Sequence, residues 1–101
     1  MADGGSDAAR IVGDRIRDLR TRLGVTQQEL GESAEIHFTN IGKIERGETN
    51  PGLVVLVRLA AALGVDPGTL IGGIGTESLP DKPRLVTIAD LKAARERQVR
   101  N

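Results

Sequence analysis

The sequence contains no cysteine, no tryptophan, no tyrosine and a single phenylalanine, Phe38. Without cysteine there is no disulfide framework and no thiolate metal site, and the one histidine, His37, lacks the companion ligands that a zinc site requires. Because aromatic side chains are so few, the core of this 101-residue chain has to be built from Leu, Ile, Val and Ala. The length provides for one small domain with tails.

Long apolar runs, targeting signals and catalytic motifs are also absent. The longest nearly apolar run, residues 53–65, contains Arg58 and is too short to span a bilayer. The first ten residues carry acids and glycines, unlike a secretory signal, so we expect a cytoplasmic protein with no membrane partner. No G-x-S-x-G, P-loop, G-x-G-x-x-G or H-E-x-x-H pattern occurs. The sequence therefore predicts no catalytic residues, no cofactor, no metal and no enzyme activity.

The central stretch, residues 26–46, has the pattern of two short helices joined by a tight turn. Thr26 and Glu29 form a capping box at the start of the first (helix 2), expected over 27–33, and Gly47 ends the second (helix 3), expected over 38–46. Gly31 permits the two helices to approach closely, because it has no Cβ. The second helix carries Ile36, Ile41 and Ile44 on one side, and His37, Phe38, Thr39, Asn40 and Lys43 on the other. This is the pattern of a helix-turn-helix.

Helices are predicted on both sides of this centre. Helix 1 is expected over residues 7–23, with a buried face formed by Val12, Ile16, Leu19 and Leu23. Helix 4 is expected to start with Asn50 as its cap and Pro51 as its first residue, and to end at Gly64. Its predicted buried face comprises Leu53, Leu56, Leu59, Ala60 and Leu63.

The last part of the chain has weaker signals. Asp66 and Pro67 start a short helix that ends near Ile71, and glycines at 72, 73 and 75 mark a boundary. Residues 76–84, with two prolines, are typical of a linker. Thr87 and Asp90 then cap an extra helix with a thin apolar stripe, which is either a marginal solvated helix or one that docks a partner or supports a dimer.

Residues 16–65 resemble the phage-repressor and Cro-type helix-turn-helix family, also called the xenobiotic-response-element family. The matching segments are LR at 19–20, GVTQQEL at 24–30, I-x-x-I-E-R-G at 41–47, NP at 50–51 and LAAALGV at 59–65. The resemblance implies an all-α, five-helix bundle of the lambda-repressor type. Residues 1–6 are small and polar and are expected to be a disordered N-terminus. With the glycine boundary, residues 7–72 are expected to be the helix-turn-helix DNA-binding domain, and residues 73–101 a linker and C-terminal helix.

The resemblance also implies a function and a set of contacts. The chain is expected to be a transcriptional regulator that binds double-stranded DNA, with helix 3 in the major groove and no cofactor. By position, the outward residues of helix 3 read the DNA, Gly42 gives close approach, and the start of helix 2 and the loop after helix 3 touch phosphates. In relatives the residue that matches Gln27 also steadies helix 3. The expected DNA-binding residues are Gln27, Phe38, Thr39, Asn40, Lys43, Thr49 and Asn50.

Two further positions carry structural expectations from the same resemblance. Arg20 and Glu45 match family positions that form a partly buried ion pair between helices 1 and 3. Glu35 stands where the family usually has a glycine in the left-handed region, so the turn either relaxes or tolerates strain of about 1 kcal/mol. Glu48 is expected to weaken the phosphate-contacting loop, because its charge repels a phosphate.

The charge balance bears on how such a protein binds. The formal net charge is zero, and residues 1–72 hold 8 basic and 10 acidic groups, so a strongly basic footprint is missing. We expect modest non-specific affinity. Because relatives usually bind as dimers on roughly palindromic operators, the resemblance implies a homodimer on an inverted-repeat operator, and a small uncharged module needs the second half-site for useful affinity. The alternative is a protein-interaction adaptor or an antitoxin-type module, which uses the same scaffold and contacts a protein through Phe38 or the C-terminal helix.

Overall fold

The computed structural model describes residues 5–81 and 86–100, without the side chain of Arg100. This part of the chain forms six α-helices and one short 3-10 turn, with no strand. The elements are α1 (Asp7–Arg22), α2 (Gln27–Ala34), α3 (Phe38–Glu45), α4 (Leu53–Leu63), α5 (Pro67–Ile71), the 3-10 turn (Thr76–Ser78) and α6 (Ile88–Arg100). None of the described helices has the length and apolarity that crossing a membrane requires. The predicted all-α fold is confirmed.

The core is aliphatic, as the scarcity of aromatic residues predicts. Among the described residues, the largest fully buried side chains come one each from α1, α3, α4 and α5 and are Ile16, Ile41, Leu59 and Leu70. Further buried residues from α1 to α4 pack around them: Val12, Leu30, Ala34, Ile44, Ala60 and Leu63. Helices α1 to α5 therefore share one core. Ile74, beyond the predicted boundary, also packs against it.

Local signals explain where most helices begin and end. The capping box of Thr26 and Glu29 is formed, with the Glu29 N–H donating to Thr26 Oγ1 at 3.0 Å and the Thr26 N–H donating to Glu29 Oε1 at 2.9 Å. Asp66 caps α5, which begins with Pro67 as expected. The Asp90 N–H donates to Thr87 Oγ1 at 3.1 Å, so the predicted extra helix is capped as the sequence indicates.

The turn between α2 and α3 keeps its left-handed residue although that residue is Glu35, with φ 58° and ψ 45°. The strain is thus tolerated and the turn has not relaxed. The Ile36 N–H donates to the Gly31 carbonyl at 2.9 Å, and a guanidinium N–H of Arg58 reaches the Glu35 carbonyl at 3.4 Å. A Cβ on Gly31 would run into the carbonyl oxygen of Ile36, which confirms the expected close approach.

The start of α4 differs from the prediction. Gly52, not Asn50, is the N-cap, and Leu53, not Pro51, is the first helical residue. Asn50 instead accepts a hydrogen bond from Ser6 Oγ at 3.1 Å, which ties the loop to the start of α1. Leu53, the first residue of the helix, has 75% of its surface exposed, so its predicted burial is wrong.

The N-terminus of the bundle and the end of α1 also depart from expectation. Residues 1–4 of the predicted disordered segment lie outside the described residues, whereas Ser6 is buried and caps α1 by accepting from the Ala9 N–H at 3.0 Å. At the other end, Leu23 is 58% exposed because the helix ends at Arg22 and the chain turns away through Gly24 at φ 72°. Its predicted place on the buried face is wrong.

Candidate nucleic-acid interface

Helix α3 packs closely against α1. A Cβ on Gly13 would collide with the carbonyl oxygens of Ile44 and Glu45, so the α1 backbone lies directly against the last turn of α3. Ile41 and Ile44 bury the inner face of α3 in the core. The helix therefore has one fixed side and one side turned to solvent.

The solvent side of α3 carries the residues that the sequence singles out. Phe38, Thr39, Asn40 and Lys43 are all exposed, as one face of a two-turn helix requires. Asn40 and Lys43 also line a groove together with Thr49 and Asn50 from the loop after α3. The structure thus brings four of the seven predicted DNA-binding residues to one groove.

Arg20 and Glu45 form a buried ion pair between α1 and α3. The guanidinium donates twice to the carboxylate, from Nε to Oε2 at 2.7 Å and from Nη2 to Oε1 at 3.0 Å. The Arg20 side chain is 13% exposed and that of Glu45 is 2% exposed. Arg20 Nη1 also donates to the Val25 carbonyl at 2.9 Å. The hydrogen bond to Glu45 raises the pKa of Arg20 above its ordinary value and outweighs the opposing effect of burial.

Gln27 lies at the first turn of α2, but its side chain turns toward α3. Its carboxamide nitrogen Nε2 donates to Glu45 Oε1 at 3.0 Å. The side chain passes over Gly42, where an added Cβ would lie 3.5 Å from Gln27 Oε1 and 3.0 Å from Arg46 Nη1. Gly42, which is buried, therefore makes room for these two side chains, a contact that the sequence analysis did not anticipate.

The start of α3 is organised by His37. Its Nδ1 accepts the Thr39 N–H at 3.2 Å and lies 2.7 Å from Thr39 Oγ1. An Nδ1 that accepts the backbone N–H carries no proton, so the Thr39 hydroxyl is the donor of the 2.7 Å contact. The imidazole stacks on the ring of Phe38, with centroids 4.7 Å apart and planes inclined by 27°.

The loop after α3 contains a cation that the sequence analysis missed. Arg46 caps the C-terminus of α3 and is exposed beside Lys43, and its Nε lies 2.5 Å from Glu48 Oε2. This guanidinium holds the pKa of Glu48 below its ordinary value. The Glu48 carboxylate, expected only to repel phosphates, is therefore ion-paired with a neighbouring cation. The signal was present in the sequence, since the two charges stand two residues apart on either side of Gly47.

No metal-binding arrangement accompanies these residues. Within residues 5–81 and 86–100, no three His, Cys, Asp or Glu side chains come together in a way that would hold a metal ion. His37 instead caps α3.

Comparison with known proteins gives one consistent result. The helix-turn-helix family model matches residues 16–70, more than half of the chain. The immunity repressor protein of Bacillus phage phi105 is 36% identical over 61 residues, which cover 60% of this chain and 42% of the repressor.

Two solved structures have the same fold over nearly their whole length. The restriction-modification controller protein C.AhdI from Aeromonas hydrophila is 35% identical, covers 61% of this chain and 94% of its own, and superposes with a TM-score of 0.60. The P22 c2 repressor protein, solved in complex with a synthetic operator, is 34% identical, covers 63% of this chain and 97% of its own, and has a TM-score of 0.59.

These comparisons concern the helix-turn-helix part of the chain. The matched region spans less than half the length of the phage phi105 repressor and lies largely within α1 to α5. The family match and the fold confirm the resemblance that the sequence motifs indicate. The chain belongs to the phage-repressor and Cro-type helix-turn-helix family.

Proposed function

We propose that this chain is a transcriptional regulator that binds a specific double-stranded DNA sequence with α3 in the major groove. The observation that carries the proposal is the exposed row of Thr39, Asn40 and Lys43 on a helix whose other side is fixed by a buried ion pair. The major groove of B-DNA admits one α-helix, and side chains on such a helix reach the base edges.

The side chains on α3 have distinct chemistry for base readout. Lys43 is a donor suited to O6 and N7 of guanine, and Asn40 is suited to the paired donor and acceptor of adenine. Thr39 already shares its hydroxyl with His37 Nδ1 at 2.7 Å. If that hydroxyl donates to His37, its lone pairs still accept, so a base amino group is its preferred partner over a phosphate.

Phosphate contacts would come from the flanks of α3. The Gln27 carboxamide nitrogen has two N–H groups, of which one donates to Glu45. The second is the donor that we assign to a phosphate, next to the positive end of the α2 dipole. Thr49 and Asn50 line the same groove as Lys43, and we assign them to contacts with the sugar–phosphate backbone.

The weak overall charge supports a dimer as the binding species. Residues 1–72 carry 8 basic and 10 acidic groups, so one module releases few counterions on binding DNA. Two copies on an inverted repeat double the number of base contacts, so the affinity rises although neither copy has an excess of basic groups. Leu53, Val54 and Val57, which are exposed on one side of α4, offer apolar surface for such pairing.

The test is selection of binding sites from random duplex DNA, followed by measurement of affinity for the selected site across a salt series. An inverted repeat with half-sites about one helical turn apart is the expected result. Sedimentation with and without that DNA then gives the stoichiometry, and two chains per site are expected. Failure to enrich any sequence at low salt would contradict the proposal.

A second candidate function is a protein-interaction module, favoured by the apolar residues on α6. Ile88, Leu91 and Val99 are exposed on this helix. Under this reading, replacing the three with serine abolishes a protein complex and leaves α1 to α5 folded. If the same variant binds the selected DNA and dimerises as the parent chain does, α6 serves neither DNA binding nor dimerisation.

A further inference from the structure

The stacked pair of His37 and Phe38 has no role in the core. Phe38 is the first residue of α3, and 47% of its surface is exposed although it is the one aromatic residue of Phe, Trp or Tyr type in the chain. One face of its ring is covered by the His37 imidazole at a centroid distance of 4.7 Å. The rest of the ring is turned to solvent at the end of α3 that enters the groove under the proposed function.

We propose that Phe38 reads the C5-methyl group of a pyrimidine in the bound DNA, an inference that rests on the proposed function and specifies its ligand. A phenyl ring offers no hydrogen bond, so it cannot recognise the donors and acceptors of a base edge. The apolar feature that the major groove presents is the C5-methyl group, carried by thymine and by 5-methylcytosine. Residues near the N-terminus of a recognition helix are the ones that reach base edges.

The surroundings of Phe38 favour an apolar ligand over a phosphate. Glu32 and Glu35 line the depression on the α2 side of the ring, together with His37. Two carboxylates disfavour a phosphate at that position because of charge repulsion. They do not oppose a methyl group, which is neutral.

His37 acts as the positioning residue of this contact. Its ring is itself held by Thr39, through the N–H at 3.2 Å and the hydroxyl at 2.7 Å. The stack limits the rotamers of Phe38 before DNA arrives, so less side-chain entropy is lost on binding. The three consecutive residues thus form one preorganised unit at the start of α3.

The experiment replaces thymine by uracil, which removes the methyl group and leaves the hydrogen-bonding groups unchanged. Each thymine of one selected half-site is replaced in turn, and the affinities of the parent chain and of Phe38→Ala are measured. We expect one position at which methyl removal weakens the parent chain about fourfold, the factor for burial of one methyl group. Phe38→Ala is expected to bind both duplexes equally.

A second arm separates the two sources of the methyl group. At the same base pair, cytosine and 5-methylcytosine are compared, and the methylated duplex is expected to bind the parent chain about fourfold more tightly. Equal binding of Phe38→Ala to both duplexes supports the assignment to Phe38. Discrimination that persists in Phe38→Ala overturns it.

The role of His37 is tested with His37→Asn, which keeps a residue suited to capping a helix but removes the ring. The expected result is a smaller ratio between thymine and uracil affinities, with an unchanged unfolding midpoint. A purely structural role would lower both affinities by the same factor and leave the ratio unchanged, which overturns the positioning role.

The outcomes distinguish this inference from the proposed function. If a sequence is selected but no methyl group affects the parent chain more than Phe38→Ala, DNA binding stands and methyl reading is overturned. In that case a contact between Phe38 and a protein partner becomes the alternative to test. If no sequence is selected, the proposed function and this inference fail together.

Discussion

Replacing Glu45 with alanine is expected to destabilise the folded chain by about 3 kcal/mol. The change leaves the Arg20 guanidinium, which is 13% exposed, without its carboxylate. It also removes the acceptor of three hydrogen bonds, two from Arg20 and one from Gln27. Loss of one partner of a buried pair costs about 3–5 kcal/mol. Because Arg20 keeps its bond to the Val25 carbonyl, we expect the lower end of that range.

Urea and thermal unfolding followed by circular dichroism provide the assay. In a domain of this size, about 1 kcal/mol corresponds to roughly 4–8 °C, so the thermal midpoint should fall by about 12–24 °C. The double variant Arg20→Met, Glu45→Leu removes both charges together. It is expected to lose less than half as much stability as Glu45→Ala, since no charge is then left buried without a partner.

Glu48→Ala is the matched control, because it breaks an ion pair of the same chemistry at the surface. The Arg46 and Glu48 side chains are 58% and 51% exposed, and their nearest atoms are 2.5 Å apart. Exposed pairs contribute little to stability, so the unfolding midpoint should not change measurably. If Glu45→Ala and Glu48→Ala shifted the midpoint equally, the reasoning from burial would be refuted.

Substitutions at Lys43, Glu48 and Glu35 test the interface and the turn. Lys43→Ala should weaken binding to the selected operator by about 1–3 kcal/mol and relax preference at one base pair, measured by competition with base-substituted duplexes; an equal loss on every sequence would indicate a phosphate contact. Glu48→Gln should raise affinity for random DNA and steepen its salt dependence, because Arg46 is released toward phosphates; an unchanged slope in fluorescence anisotropy would contradict this. Glu35→Gly should stabilise the chain by about 0.5–1 kcal/mol in urea unfolding, since φ is 58°, whereas Glu35→Ala should give no gain.

Much of the fold could be predicted because its signals are local. The bounds of α1, α2 and α3 agree with the expected ones within one residue, since capping residues and glycines act on their immediate neighbours. The start of α4 could not be predicted in this way. Asn50 and Pro51 have the pattern of a cap and a first helical residue, but Asn50 is bonded to Ser6, which is 44 positions away. Contacts at that separation leave no trace in local spacing.

The turn at Glu35 is another place where contacts between distant residues could not be predicted from the sequence. The sequence indicates the penalty, because a glutamate stands where a left-handed residue is needed. It does not indicate the compensation, which comes from a backbone hydrogen bond to Gly31 and from Arg58 on α4. The geometry of a strained residue depends on whether its neighbours in space over-determine it, and those neighbours lie on other helices.

The helical period predicts which residues of the candidate site are exposed, but it does not predict their side-chain hydrogen bonds. The spacing of Ile41 and Ile44 was enough to predict that Asn40 and Lys43 face solvent. The bonds from Gln27 to Glu45 and from Arg46 to Glu48 depend on how helices cross and how a loop closes. The resemblance implies that Gln27 steadies helix 3, but only the structure shows that it does so through Glu45.

The Arg20–Glu45 pair calls for an explanation other than stability, because a buried ion pair is often no better than an apolar pair of the same volume. One carboxylate on α3 accepts from Arg20 on α1 and from Gln27 on α2. Hydrogen bonds have direction, so this carboxylate fixes the position of α3 relative to both helices more tightly than aliphatic contacts would. Under the proposed function it fixes the distance between base contacts and phosphate contacts. The Arg20→Met, Glu45→Leu variant should therefore remain folded. The free-energy difference between its binding to operator and to random DNA should fall by more than its free energy of unfolding falls.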